Sequence, residues 1–232
     1  MRNPIQLTTE AFGIMSRNMR LFLSILAAPI VLSFIGALFM PTPVEQAAGI
    51  GFSGMYMVMM LLSGVVNVFM GIALILVMRN MGLTAMDAYK QSTSYFLRYL
   101  GMSIVMMVLL FVGFLLLIIP GIILAVWLSF SAFVLVLENG GMIGSLKQSR
   151  EYVRGHWWGV LGRLLAMGIL LVVVSMVFSM IASVVPSYVV SNALVAALAM
   201  LLAPFSVAYM YLMYQDLKGG APAPQVAPVA GV

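Results

Sequence analysis

From Leu100 to Leu137 the chain runs without one charged side chain, and this stretch decides what the protein can be. A single helix of that length would extend roughly 57 Å at 1.5 Å per residue, nearly twice the ~30 Å hydrocarbon core of a bilayer. The stretch therefore has to fold back. Pro120 and Gly121 stand at its middle, where proline presets a turn and glycine tolerates positive φ. The spacing predicts spans at about 100–119 and 121–137, joined by a hairpin at this pair. Four further apolar runs, 21–40, 52–78, 158–185 and 193–214, are each long enough to cross once. Composition agrees: 64% of the residues are hydrophobic and 7% charged, against about 25% charged in soluble domains. The expected fold class is an all-α integral membrane protein of six transmembrane helices, one polytopic domain over 1–218. Residues 219–232, a Pro/Ala/Gly tail without charge, are expected to be disordered.

Basic residues orient such a bundle, because Lys and Arg are retained in the cytoplasm. Six spans starting inside place Arg2, Arg17, Arg20, Arg79, Lys90, Arg98, Lys147, Arg150, Arg154 and Lys218 on one side, and Arg163 can snorkel there from the fifth span. The segments expected outside, 41–50, around Pro120 and 186–192, hold no Lys or Arg. Both termini are therefore expected to be cytoplasmic, in the inner membrane of a bacterium. The apolar run starting at residue 21 reads as a retained first span and not as a cleaved signal. The net charge of +5 reflects this orientation, so nucleic acid is not an expected partner.

Before the first, third and fifth spans lies a segment too polar to insert but with apolar positions at helical spacing. Ile5, Thr8, Phe12, Met15 and Met19 share one face; Ala85, Ala88, Tyr89, Ser92, Phe96 and Tyr99 share another; Met142, Leu146, Ser149 and Val153 share a third. The second and third segments both contain Lys-Gln-Ser, at Lys90 and at Lys147. The expected unit is a cytoplasmic amphipathic helix lying in the interface, followed by a transmembrane hairpin and used three times.

The stretch from Ile118 to Gly162, with Pro120 and Gly121, Glu138 closing the fourth span, Ser149, and then Arg154, Gly155 and Trp157, resembles the six-helix membrane domain fused to some glycerophosphodiester phosphodiesterases and its stand-alone relatives. The resemblance implies a membrane module. It does not carry over the hydrolytic activity, which in the fused enzymes belongs to a separate barrel with histidine and carboxylate metal ligands. Here there is one histidine, His156.

Catalysis needs convergent polar groups, and Glu10, Glu45, Asp87, Glu138, Glu151 and Asp216 are scattered along the chain. With no cysteine either, the reading is non-enzymatic, without cofactor or metal. His156 beside Trp157 and Trp158 reads as an interfacial anchor. Asn67, the most polar side chain near the middle of a span, needs a partner: a hydrogen bond to another helix, or a place on a solute path. Pro29 and Pro204 should kink their helices. Glu138 is expected to clasp Lys147, Arg150 or Arg154, and those three cations are the candidate site for anionic headgroups or a protein partner. The function expected is a platform that engages lipid or a membrane-protein partner, a second copy included. A transporter or channel for a small neutral or apolar solute is the alternative.

Overall fold

A computed structural model describes residues 2–41 and 54–219, and over them it is helical throughout: α1 (Pro4–Arg17), α2 (Met19–Ala37), α3 (Gly54–Arg79), α4 (Ala85–Leu116), α5 (Ile118–Leu128), α6 (Ser131–Leu137), α7 (Met142–Val153), α8 (Trp157–Ser183), α9 (Tyr188–Leu201) and α10 (Ala203–Leu217). Six helical stretches are long and apolar enough to cross a bilayer: α2, α3, α4, α5 with α6, α8, and α9 with α10. The expected tail beyond Gly219, and most of the segment expected outside at 41–50, lie outside the described residues.

The structure corrects the expected boundaries around the long apolar stretch. The helix that carries the third apolar run does not begin at residue 100: α4 starts at Ala85 and is continuous to Leu116. Thr84 starts it as a cap, its Oγ accepting the Asp87 N–H at 3.2 Å. The residues expected to form a separate interfacial helix are thus the first turns of the same continuous helix. Their apolar face packs inward: Ala88 and Ser92 are buried, the Tyr89 hydroxyl donates to the Ile25 carbonyl at 2.6 Å, and Phe96 stacks on Phe69 with centroids 4.7 Å apart.

The chain folds back at Leu117, in extended conformation (φ −166°, ψ 153°), and not at Pro120 and Gly121. Pro120 lies in the first turn of α5, where helix N–H groups lack intrahelical partners and its missing donor costs nothing. Gly121 works at the crossing instead. A Cβ on Gly113 would stand 3.2 Å from the Gly121 Cα, and one on Gly121 would collide with the Phe114 ring. These two glycines let α4 and α5 approach backbone to backbone.

Two spans are broken. The fourth is interrupted at Ser129 and Phe130 between α5 and α6, and the sixth at Leu202 between α9 and α10, where Pro204 occupies the first turn of α10. Pro29 lies inside α2 and is buried.

Buried side chains gather toward one end of the bundle. They include Phe22, Ile25 and Leu26 early in α2, the run from Ile72 to Met78 that closes α3, Phe133 to Val136 in α6, and Tyr209 with Tyr211 to Tyr214 in α10. The opposite halves expose their apolar side chains, as at Met57 to Leu62 in α3, Phe114 to Leu116 in α4, and Met176 to Ile181 in α8. In a bilayer such exposure is cheap, because acyl chains solvate it, and helix association must come from close packing and polar bonds. Among the described residues most of those bonds lie at the packed end, with Ser191 on the Ala182 carbonyl an exception in the other half.

Candidate functional site

At the packed end the C-termini of the fourth and sixth spans meet α7 around one carboxylate. Glu138, the residue after α6, accepts hydrogen bonds from the Tyr152 hydroxyl (2.8 Å to Oε1), the Gln148 amide (3.1 Å to Oε2) and the Tyr214 hydroxyl, and Lys218 Nζ lies 3.1 Å from Oε1. Burial alone would push the Glu138 carboxyl up. The bonds from Tyr214, Tyr152 and Lys218, with the Lys218 charge, outweigh it and hold the group below the usual carboxylate range. The Tyr152 hydroxyl is pushed up, by burial first and then by its bond to Glu138. Glu138 therefore stays ionised and joins three segments distant in sequence. The cation it binds is Lys218, which corrects the expected clasp to Lys147, Arg150 or Arg154.

Ser149 explains how the broken fourth span is tolerated. Its hydroxyl donates to the Trp127 carbonyl at 2.7 Å and accepts the Phe130 N–H at 3.1 Å, so a side chain of α7 occupies the backbone groups freed by the break. Beside it the Arg150 guanidinium lies 4.5 Å from the centroid of the Trp127 ring, a cation–π contact. Replacing Ser149 with alanine leaves the buried Phe130 amide without a partner, at a cost of about 1.5 kcal/mol. We expect Ser149→Ala to lower the thermal midpoint in detergent, and Ser149→Thr, which keeps the hydroxyl, to recover part of the loss; equal midpoints for Ser149→Ala and the parent protein would refute this role.

A second network ties the two ends of the described chain together. The Arg2 side chain reaches Asp216 (3.0 Å) and Glu10 (3.2 Å), its backbone N–H donates to Asp216 at 2.6 Å, and Arg163 Nε donates to the Arg2 carbonyl at 2.8 Å. Residues near both ends thus lie at the same end of the bundle.

The remaining expected site residues separate. Lys147 is exposed, and Arg154 is exposed with Glu151 at 3.6 Å. Gly155 adopts φ +83° in the turn between α7 and α8, a region where only glycine is free of Cβ strain. Trp157 packs edge-on against Trp158, its indole N–H buried without a hydrogen-bond partner. Among the described residues Asn67 bonds no other helix; its amide donates to the Ser63 carbonyl one turn back at 2.8 Å. Among the described residues no three His, Asp or Glu side chains converge as metal ligands would. The apolar face of α7 also departs from the interfacial expectation, since Leu146, Ser149 and Val153 are buried in the protein. Tyr152, Tyr214, Lys218 and Trp127 were missed. Each is an ordinary residue for a membrane surface, and nothing local in the sequence connects residue 138 to residues 214 and 218.

The family model described as "Domain of unknown function (DUF7847)" matches residues 56–217, which contain the whole Glu138 cluster except Lys218. The chain belongs to the DUF7847 family. A curated relative, the UPF0259 membrane protein of Pectobacterium carotovorum subsp. carotovorum (strain PC1), is 33% identical over 98 residues, covering 40% of this chain and 39% of that protein. The aligned part is thus about two fifths of the relative's length. No solved structure matches. With six membrane-length apolar helices, this DUF7847 protein is a membrane protein.

Proposed function

We propose that this DUF7847 protein is a non-enzymatic multi-pass protein of a bacterial cytoplasmic membrane, with the Glu138 end and both termini facing the cytoplasm, and that this end engages anionic lipid. One observation supports the reading above others: the cations near this end divide into two sets. Arg2, Arg98, Arg163 and Lys218 are bonded inside the protein. Arg17, Arg20, Lys90 and Lys147 are exposed and bonded to no side chain among the described residues. On α1, Ile5 (79% exposed) and Phe12 (58%) lie seven residues apart and face outward, while Leu7 and Ala11 on the other side are buried. That leaves an outward apolar face on α1 with Arg17 at its end and Arg20 just past the break, the pattern by which a helix lies in an interface.

Lys147, Arg150 and Arg154 remain the proposed headgroup site on α7, with Arg150 also held by Trp127. A pore is less well supported, because Ile72 to Met78 and Phe133 to Val136 fill the bundle at this end. The likeness of residues 118–162 to phosphodiesterase membrane domains fits a membrane module without chemistry of its own.

The test keeps Arg150, whose loss would also disturb Trp127. Lys90→Gln, Lys147→Gln and Arg154→Gln together should weaken retention on anionic relative to zwitterionic nanodiscs or vesicles. At about 1 kcal/mol per cation near an anionic leaflet, discounted for Arg154 beside Glu151, the change is about 2 kcal/mol. Raising salt should weaken the native preference in the same direction. An unchanged preference in the triple variant would refute the reading.

A further inference from the structure

In the half of the bundle away from Glu138, α2, α3 and α9 separate to leave a cleft of about 420 Å³, within the range of small-molecule sites. Its walls come from Ser33 and Gly36 on α2, Met59 and Ser63 on α3, and Asn192 and Ala196 on α9. Among the described lining residues there is no charge, so an ionised ligand would enter without compensation. The run from Ile72 to Met78, further along α3, is buried in the core, so the cleft is a pocket and not a channel.

Its polar groups are specific. The Ser33 hydroxyl is used within its own helix, donating to the Ile30 carbonyl at 2.7 Å, and the Asn192 amide nitrogen donates to the Tyr188 carbonyl at 2.8 Å. Two groups are left over among the described residues: the Ser63 hydroxyl, whose residue uses only its carbonyl, and the Asn192 side-chain oxygen. The serine hydroxyl can donate or accept, and the amide oxygen accepts. An alcohol can accept from the one and donate to the other with a single group. The bulk of the lining, glycine, alanine, valine and methionine, suits an aliphatic chain, and methionine adapts to irregular shape.

We propose that this cleft binds a neutral lipid alcohol, an aliphatic chain bearing one free hydroxyl, entering from the surrounding membrane. The site is independent of the anionic-lipid surface at the opposite end.

The test uses the full-length protein in nanodiscs and a photoactivatable hexadecanol carrying a diazirine on its chain. Labelling should saturate, should map to the α3 segment containing Met59 and Ser63, and should be competed by unlabelled hexadecanol about fivefold better than by hexadecane, the effect of roughly one hydrogen bond. Ser63→Ala, which removes a hydroxyl with no hydrogen-bond partner among the described residues, should abolish that fivefold preference while leaving thermal stability unchanged. Ala196→Phe should block labelling by filling the cleft. Label spread evenly over the exposed faces of α4 and α8 without saturation would overturn the proposal, as would equal competition by hexadecane, or by hexadecanoate at a pH where it is ionised. A Ser63→Ala protein that keeps the preference for alcohol would overturn it too.

Discussion

Glu138→Ala is expected to be the most damaging single substitution at the polar end, lowering stability by about 3 kcal/mol. The carboxylate is mostly buried, with 18% of its side chain exposed, and its removal strands the Tyr152 and Tyr214 hydroxyls and leaves Lys218 without its anion. Hydrogen bonds to a charged group contribute about 1.5–3 kcal/mol each, and the loss is not additive because the groups form one network. For a chain of this size that is about 6–12 °C in thermal midpoint. Glu138→Gln keeps acceptor geometry and loses the charge, so it should fall between the two. Folding holds the carboxyl below its unfolded value of about 4.3. The contribution is therefore complete above that value and is lost as pH falls through the depressed folded value. The midpoint difference between the parent and Glu138→Gln should be constant from about pH 8 to 5 and should shrink on further acidification. Thermal unfolding in detergent across this range checks it; a difference that grows in acid would contradict the assignment.

Gly121→Leu is expected to cost about 2 kcal/mol, in the range for overpacking, while Pro120→Ala should change stability by less than about 0.5 kcal/mol. The contrast follows from where each residue sits. At Gly121 any Cβ meets the Phe114 ring close to its attachment, and on the facing helix a Gly113 Cβ would stand 2.8 Å from Leu124 and 3.2 Å from the Gly121 backbone. Relief requires α4 and α5 to separate. At Pro120 the missing donor falls in the first turn of α5, and the reversal has already been made at Leu117. Thermal midpoints of the two variants decide the matter. A Pro120→Ala protein as unstable as Gly121→Leu would return the reversal to proline.

Part of the polar end could be read from letters alone. The repeated Lys-Gln-Ser is such a part: in both copies the lysine is exposed and the serine buried. What the two serines do could not be read. Ser92 bonds the Ala88 carbonyl of its own helix at 2.7 Å, whereas Ser149 reaches another span and bridges its break. The same residue in the same local pattern has different partners because a partner is set by what packs opposite. Asn67 shows the converse. Its need for a bonding partner followed from its position, but the nearest acceptor proved to be on its own helix.

Length, charge and apolar run determine insertion, because each span must be apolar over about 20 residues and must satisfy its own backbone. Those conditions act within a segment, so the six membrane-length helices were legible before any coordinate was known. Which carboxylate meets which cation is a matter between segments. Arg150 turned to Trp127, Lys218 took the place beside Glu138, and the chain folded back at Leu117 because Gly113 and Gly121 must meet. In a membrane the apolar effect does not favour one helix face over another. The choice of neighbours therefore rests on close fit and on a few hydrogen bonds, and both exist only once the helices are packed.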